Sequence, residues 1–439
     1  MSPPHELQMD EWATLDAGSV PQLAGLWPDS PDVAAAVEAL PGHALRISAC
    51  RSGLRITARQ HVGVVRLGPV QVRIRPKLPP GDLWTALAAA MRLPAESHRP
   101  PVDDVLDGDF IDALARLLLR ESDRLWRLGP HRTYRTHSDW LASPRGRPEL
   151  AELARHQPLL RAALPCRFHD RTTDNPTNAV VAGALKLASR WVRSTRLRGA
   201  LHRAARQWSD LCAHTTLDAD LLQSARRTRS RLNARYDAAH AISALLLAGL
   251  GRGEGEGEGP NARLPGFLVD MAGLWEDFLE VFLREHLPPG WTVTAQHTIR
   301  HLYAVDRAPA GWRAPRPRPD LVISENGRTH AVIDAKYRDI IARGLPRDIL
   351  YQLSVYALAW STEARGGPVP AVALCPSLEE PAEAWLTVRP PAGQVHRVGV
   401  RTVDWSAALA LLRRGDRTAA RQLALQWVGA DVPRRPGRA

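Results

Sequence analysis

The chain has 439 residues, 44% of them hydrophobic, enough apolar side chain for two or three domains with packed cores. Its formal charge of +12 favours a polyanionic partner such as nucleic acid. Four scattered cysteines (Cys50, Cys166, Cys212, Cys375) form no C-x-x-C pair, which argues against a zinc site or disulfide framework and fits a reducing cytoplasm. The N-terminal MSPPHELQMDEW lacks the basic and apolar regions of a signal peptide, and the longest apolar run, around Ala241 to Leu250, is too short to span a bilayer. The expectation is a soluble cytoplasmic protein with no membrane partner.

Residues up to about Pro41 are rich in Pro, Ala and Asp and carry no readable element. From His43 to Pro80, apolar and polar residues alternate in the runs Leu45-Arg46-Ile47, Leu54-Arg55-Ile56-Thr57, Val64-Val65-Arg66-Leu67 and Val70 to Lys77. Separated by Gly53 and Gly68-Pro69, they predict one small antiparallel sheet, apolar inside and arginine outside. Leucines at helical spacing over Phe110 to Leu128, with similar patterns over Asn178 to Val192 and Leu232 to Leu250, predict a helical middle. In the Arg145-Gly146-Arg147 loop, Arg145 and Arg147 offer two planar forks for phosphate or carboxylate, or form an ordinary exposed turn. Asp170, Asp174 and Asn175 read as turn and helix caps. Ser224 to Arg235 holds Arg226, Arg227, Arg229, Arg231 and Arg235, either a DNA-binding helix or a solvated basic face. Gly251 to Pro260, GRGEGEGEGP, can build no core and reads as a flexible linker.

Beyond the linker, Met271 to Leu279 predicts an amphipathic helix on which Glu276 either adds a carboxylate to a site or faces solvent. A proline-rich stretch, Arg307 to Pro319, leads into Asp320. Leu321-Val322-Ile323-Ser324 and Ala331-Val332-Ile333-Asp334 flank an Asn326-Gly327 pair, the strongest short-range hairpin signal. Side chains alternate along a strand, so Asp334 and Lys336 share a face, and the hairpin brings Asp320 alongside. Two carboxylates and a lysine at a sheet edge suit a Mg²⁺ ion, which takes carboxylate, water and phosphate oxygens. Lys336 can orient the attacking water or stabilise developing charge. The chain has only three lysines (Lys77, Lys186, Lys336) in an arginine-dominated sequence, so a lysine here stands against the bias. Leu350 to Tyr356 has helical character and places Gln352 and Tyr356 on one face. Ala371 to Cys375 reads as a further strand, and a short helix after Val400 leads into an Arg/Pro tail.

The pattern Pro319-Asp320, then Asp334-x-Lys336, resembles the PD-(D/E)xK nuclease superfamily, and Gln352-x-x-x-Tyr356 resembles its RecB-like branch. A second resemblance is collinear over residues 43 to 360. His61 to Gly68 with Ile74-Arg75-Pro76-Lys77, Tyr134, Arg145-Gly146-Arg147, Cys166 to Asp170, Thr173-Asp174-Asn175, Asn178, Leu232 to Tyr236, Asp270-Met271 and Leu274-Trp275-Glu276 follow the order seen in McrC proteins. That family is the nuclease subunit of modification-dependent (5-methylcytosine-type) restriction systems of anti-phage defence. The resemblance implies a Mg²⁺-dependent endonuclease that cuts double-stranded DNA and stimulates a McrB-like AAA+ GTPase partner. In line with that division, the chain carries no G-x-x-x-x-G-K-[ST] loop. It assigns Asp320 and Asp334 as metal ligands, Lys336 as the catalytic lysine, and Glu276, Gln352 and Tyr356 as supporting site residues.

The expected fold is α+β multidomain. It comprises an N-terminal β-rich partner-contact domain (1–95), a helical middle ending in the linker (96–260), an α/β nuclease domain with a mixed sheet (261–390), and a C-terminal helix with a disordered basic tail (391–439). Two alternatives share parts of this reading: a RecB-like repair or processing nuclease without a motor, and a non-catalytic adaptor. The adaptor would need a lost triad, and Asp320, Asp334 and Lys336 are all present.

Overall fold

The computed structural model describes residues 5–40, 44–100, 110–155, 163–249, 266–300, 302–309, 311–338, 340–341, 344–360, 368–377, 380–389 and 394–430. The chain is mixed α/β and divides into two compact units, Met1–Ala113 with Leu250–Ala439, and Leu114–Gly249. The sequence division at 95 and 261 therefore separates segments that fold into one unit. The Gly-Glu stretch 251–260 and the tail 431–439 lie outside the described residues. No helix among the described residues is long and apolar enough to cross a membrane.

In the first unit the chain opens with β1 (His5–Asp10), β2 (Thr14–Asp16), α1 (Pro31–Ala39), β3 (Leu45–Cys50), β4 (Gly53–Ala58), β5 (His61–Leu67), β6 (Val70–Arg75) and α2 (Pro80–Ala90). The single sheet expected here is two sheets: β2-β4-β3, and a four-stranded sheet of β1, β6, β5 and the strand Gly266–Asp270. Local alternation found the hairpins but could not see their outer partners. β1 lies parallel to β6 and brings Glu6 and Asp10 to Arg73 and Arg75, so two of the "outside" arginines are ion-paired across strands. Gly63 shows why the distant strand docks: a Cβ there would sit 2.1 Å from the Phe267 carbonyl oxygen.

The second unit begins within α3 (Phe110–Arg127) and continues through β7 (Thr133–Leu141), β8 (Arg147–Pro148), α4 (Leu150–Arg155), β9 (Leu164–Thr172), α5 (Pro176–Ala188), α6 (Thr195–Ser209), α7 (Ala219–Arg227) and α8 (Asp237–Gly249). The middle is helical but also holds a three-stranded sheet, β7-β9-β8. Asn175 caps α5 by accepting from the Asn178 amide, and the buried Asn178 side chain donates to the His131 and Thr173 carbonyls. Asp174 accepts from the Ala213 amide at 3.0 Å. Asn175 and Asp174 therefore hold backbone together, as caps and turns do.

The first unit resumes with β10 (Gly266–Asp270), α9 (Met271–His286), β11 (Trp291–Ala295), β12 (Leu321–Glu325), β13 (Arg328–Ala335), α10 (Arg347–Ala359), β14 (Ala371–Ser377), β15 (Glu383–Val388), β16 (His396–Asp404), α11 (Trp405–Arg414) and α12 (Arg417–Val428). Six strands form a mixed sheet in the order β11-β12-β13-β14-β16-β15, parallel at β13/β14 and β14/β16. The β12–β13 hairpin turns at Asn326 and Gly327, both with positive φ, as a two-residue hairpin requires. Residue 390 is not the edge of this sheet, because β16 pairs between β14 and β15. The C-terminal region holds two helices where one was expected. Asp404 caps α11, and Gly415 in the left-handed region ends it. One sheet face buries Val322, Val332, Ala371 and Ala373 against Ile349, Leu353 and Tyr356 of α10. On α9, Trp275 meets Trp405 at 4.9 Å, and Phe282 meets Trp427 of α12 at 4.8 Å.

Candidate active site

Asp320 follows the buried Pro319, which cannot donate to a ladder and so suits the start of β12. In the antiparallel register Leu321 pairs with Ile333, so Asp320 and Asp334 lie side by side at the same end of the hairpin. The Ala335 amide donates to Asp320 Oδ2 at 2.7 Å, fixing that carboxylate. The Lys336 amide donates to the Leu374 carbonyl at 3.0 Å, so the D-x-K run stays anchored where β13 ends. Asp334 is only 1% exposed at its side chain, whereas Lys336 is 24% exposed, with Nζ 2.6 Å from Asp334 Oδ2.

Asp334 Oδ2 is a buried oxygen whose close partner is the Lys336 ammonium, an ion pair at the end of β13. Oδ1 accepts from Gln352 Nε2 at 3.1 Å. Gln352 also donates to the Tyr356 hydroxyl at 2.8 Å, and that hydroxyl donates to the Arg318 carbonyl at 3.1 Å. The i, i+4 face of α10 thus braces both β13 and the approach to β12.

Glu276 reaches the same place from α9. Asp270 caps that helix through the Ala272 amide, and Trp275 Nε1 donates to the Leu374 carbonyl at 3.1 Å. With Trp275 pinned to the sheet, the next side chain projects along its edge. Gln296, just past β11, donates to Glu276 Oε1, and its amide nitrogen is 3.4 Å from Asp320 Oδ1. Gln296 sits at φ +51 and donates its own N–H to the Asp320 carbonyl at 2.8 Å. The sequence reading missed Gln296. The period-two run Trp291–Ala295 that precedes it was the available signal.

Burial pushes the Glu276 carboxyl up to about 7, with the Asp320 charge adding to it. Burial also raises Asp334 to about 6; Lys336 opposes the shift and Asp320 reinforces it. Tyr356 is pushed up to about 12, chiefly by burial. Crowded, desolvated carboxylates of this kind favour a cation or a shared proton. Among the described residues, no three His, Cys, Asp or Glu side chains converge closely enough to hold an ion by themselves. The fit is to a metal that takes two carboxylates and fills its remaining positions with water and phosphate oxygen.

The structure thus gathers Glu276, Asp320, Asp334, Lys336, Gln352 and Tyr356. The other predicted arginines belong to the second unit. Arg145 Nη2 meets both Asp170 oxygens at 2.7 and 2.8 Å, and its guanidinium lies 3.9 Å from the centre of the Phe168 ring. Arg147 is exposed on β8. Residues 224–235 are not one helix: α7 ends at Arg227, and the Asn233 side chain then accepts from the Ser230 amide and donates to the Thr228 carbonyl, closing a turn. Arg229 forms a forked pair with Asp237, and Arg235 donates to the Leu128 and Gly129 carbonyls. Arg226, Arg227 and Arg231 are exposed.

The family described as McrBC 5-methylcytosine restriction system component matches residues 56–366. Among solved structures, a chain of a refined half-complex from a tetradecameric assembly of Thermococcus gammatolerans McrB AAA+ hexamers with bound McrC is similar. The identity is 18% and the TM-score 0.58, over 97% of this chain and 100% of that one. A chain of the cryo-EM Thermococcus gammatolerans McrBC complex is similar at 17% identity and a TM-score of 0.45, over 63% of this chain and 87% of that one. No curated protein matches the chain.

Proposed function

Because this chain belongs to the family of McrBC 5-methylcytosine restriction system components, we propose that it is the subunit that cuts double-stranded DNA in such a system. The observation that carries this reading is the convergence of Asp320, Asp334 and Lys336 at one end of a hairpin, braced by Glu276, Gln296 and Gln352. The arrangement supports reading Pro319-Asp320 and Asp334-x-Lys336 as a PD-(D/E)xK motif. Asp320 and Asp334 would hold Mg²⁺, which polarises the phosphoryl oxygen and makes water a stronger nucleophile when bound. The partner is a McrB-like AAA+ GTPase, a reading supported by the fold shared with the McrB–McrC half-complex.

The chain's own residues supply the rest. Lys336, partly exposed and held beside Asp334, donates to the attacking water or to the phosphoryl oxygen as charge builds there. Gln352, itself held by Tyr356, occupies Asp334 Oδ1, while Oδ2 faces the Lys336 ammonium. The Ala335 amide holds Asp320 Oδ2, and the Gln296 side-chain nitrogen lies 3.4 Å from its Oδ1. Glu276, held by Gln296, is placed to carry a proton near neutral pH.

The test combines the purified chain with a McrB-like AAA+ GTPase, GTP, Mg²⁺, and matched methylated and unmethylated plasmids. Wild type runs beside Lys336→Ala and Asp334→Ala. Cutting confined to modified DNA, and abolished in both variants and without the partner, is the expected result. Cutting without the partner or without regard to methylation points instead to a RecB-like processing nuclease, and equal activity in the variants removes the assigned site.

A further inference from the structure

Residues 300–318, RHLYAVDRAPAGWRAPRPR, run into Asp320 with five arginines and one acid, Asp306. Arg300, Arg307, Arg313, Arg316 and Arg318 are all exposed, and none forms an ion pair among the described residues. Aromatic rings interleave with them: Tyr303 is 44% and Trp312 54% exposed, and Tyr351 on α10 is 64% exposed. Solitary exposed rings are ordinary, but rings grouped with unpaired arginines mark a binding surface.

Part of this surface is concave. A cleft of about 340 Å³ is lined by Tyr303, Arg316, Pro317, Tyr351, Gln352 and Tyr356, among others. Two of those residues belong to the carboxylate site, since Gln352 is 3.1 Å from Asp334 Oδ1 and donates to Tyr356. The cleft therefore opens directly beside the carboxylates. Pro315 and Pro317 fix the backbone and remove N–H donors, so the wall is mostly ring and methylene with one guanidinium. Such a wall suits a flat apolar face with a phosphate at its edge. A paired duplex shows phosphate and sugar on its outside and hides its base faces, whereas an unpaired base offers both partners at once.

We propose that this cleft holds an unpaired nucleobase of the DNA strand, its face on Tyr303 and Tyr351 and its phosphate on Arg316, next to the Asp320–Asp334 site. The inference rests on the nuclease reading and names how that site takes its strand. The unpaired arginines of 300–318 are the complementary charge along which the strand approaches.

The experiment titrates full-length protein, in EDTA so that nothing is cut, into three 2-aminopurine-labelled DNAs: a single strand, a duplex with the probe in a one-base bulge, and a fully paired duplex. Wild type is compared with Tyr351→Ala, Tyr303→Ala and Tyr351→Phe, all at exposed positions. Wild type should quench the probe in the single strand and the bulge. Tyr351→Ala should bind both about tenfold more weakly, the low end of what one stacked base contributes. Tyr351→Phe should match wild type, and the paired duplex should bind all four proteins alike. No quenching by wild type, or a Tyr351→Ala protein that binds the single strand and the bulge as tightly as wild type does, overturns the proposal. So does a Tyr351→Ala protein that keeps its DNA binding but no longer captures the AAA+ partner, which would make the cleft a protein-docking surface. Cleavage of plasmid, run in parallel with the partner and Mg²⁺, separates the two readings. Intact Lys336-dependent cutting with unaltered Tyr351→Ala binding sinks only the cleft, whereas stacking without any cutting sinks only the nuclease.

Discussion

In residues 224–235 and again in 300–318 the chain carries five arginines within a short span, and the two stretches differ in what those arginines meet. In the first, Asp237 takes Arg229 in a forked pair and two backbone carbonyls take Arg235, while Arg226, Arg227 and Arg231 stay in solvent. In the second, Asp306 is the one acid within the stretch and every guanidinium remains exposed. Charge density along a chain counts cations; only the fold says which are already committed to a carboxylate or a carbonyl. The first stretch reads in sequence as either a DNA-binding helix or a solvated basic face, yet two of its arginines hold the second unit together.

The comparison is sharpened most by separating chemistry from strand holding. Lys336→Ala should lower cleavage by about 10²- to 10³-fold, the usual scale for removing one charge-stabilising donor. Its DNA affinity, read by fluorescence anisotropy, should stay near wild type. Next in size, the triple variant Arg313→Ala/Arg316→Ala/Arg318→Ala should weaken DNA binding up to about a hundredfold. The slope of log affinity against log salt should flatten by about 0.9 for each phosphate that no longer meets a guanidinium. The matching triple at Arg226, Arg227 and Arg231 should change both quantities less; an equal effect would break the comparison.

Glu11 tests the converse case, a charge without enough partners. It is buried, and its Oε1 accepts from the Lys77 amide at 2.7 Å and from the Tyr337 hydroxyl at 3.0 Å, while Oε2 has no partner. Burial raises it from 4.5 to about 7. The folded state therefore holds the proton more tightly than the unfolded chain. Its contribution to stability is fully present below about pH 4.5 and is lost as pH rises through 7, by roughly 3 kcal/mol. Glu11→Gln should lack that slope, so the melting temperature of the variant should gain on wild type between pH 5 and 8. The smallest effect expected is at Arg235→Ala, which removes two hydrogen bonds to carbonyls. Denaturant unfolding should show a loss of about 1 kcal/mol, with DNA affinity unchanged.

Much of the site was visible as local pattern. The Asn326-Gly327 turn, the period-two spacing of Asp334 and Lys336, and the i, i+4 spacing of Gln352 and Tyr356 all follow from backbone geometry within a few residues. Helix α3 and helix α9 were visible for the same reason. The single N-terminal sheet was wrong because β1 and β10 join β6 and β5 from far along the chain, and alternation within a strand carries no name for its neighbour. Gln296 was missed because the alternation of Trp291–Ala295 marks only the strand before it, while its role comes from a left-handed backbone position beside Asp320.

What the sequence by itself determined is therefore the set of short elements and which face each side chain takes, since strand and helix periods are properties of the local backbone. Tertiary structure decided which of those faces meet. It brought Glu276 and Gln296 to the Asp320–Asp334 pair, buried Glu11 under Tyr337, and left the arginines of 300–318 exposed while tying down Arg229 and Arg235. Those outcomes depend on packing and on hydrogen-bond partners separated by tens to hundreds of residues, which the order of residues constrains only through the folded whole.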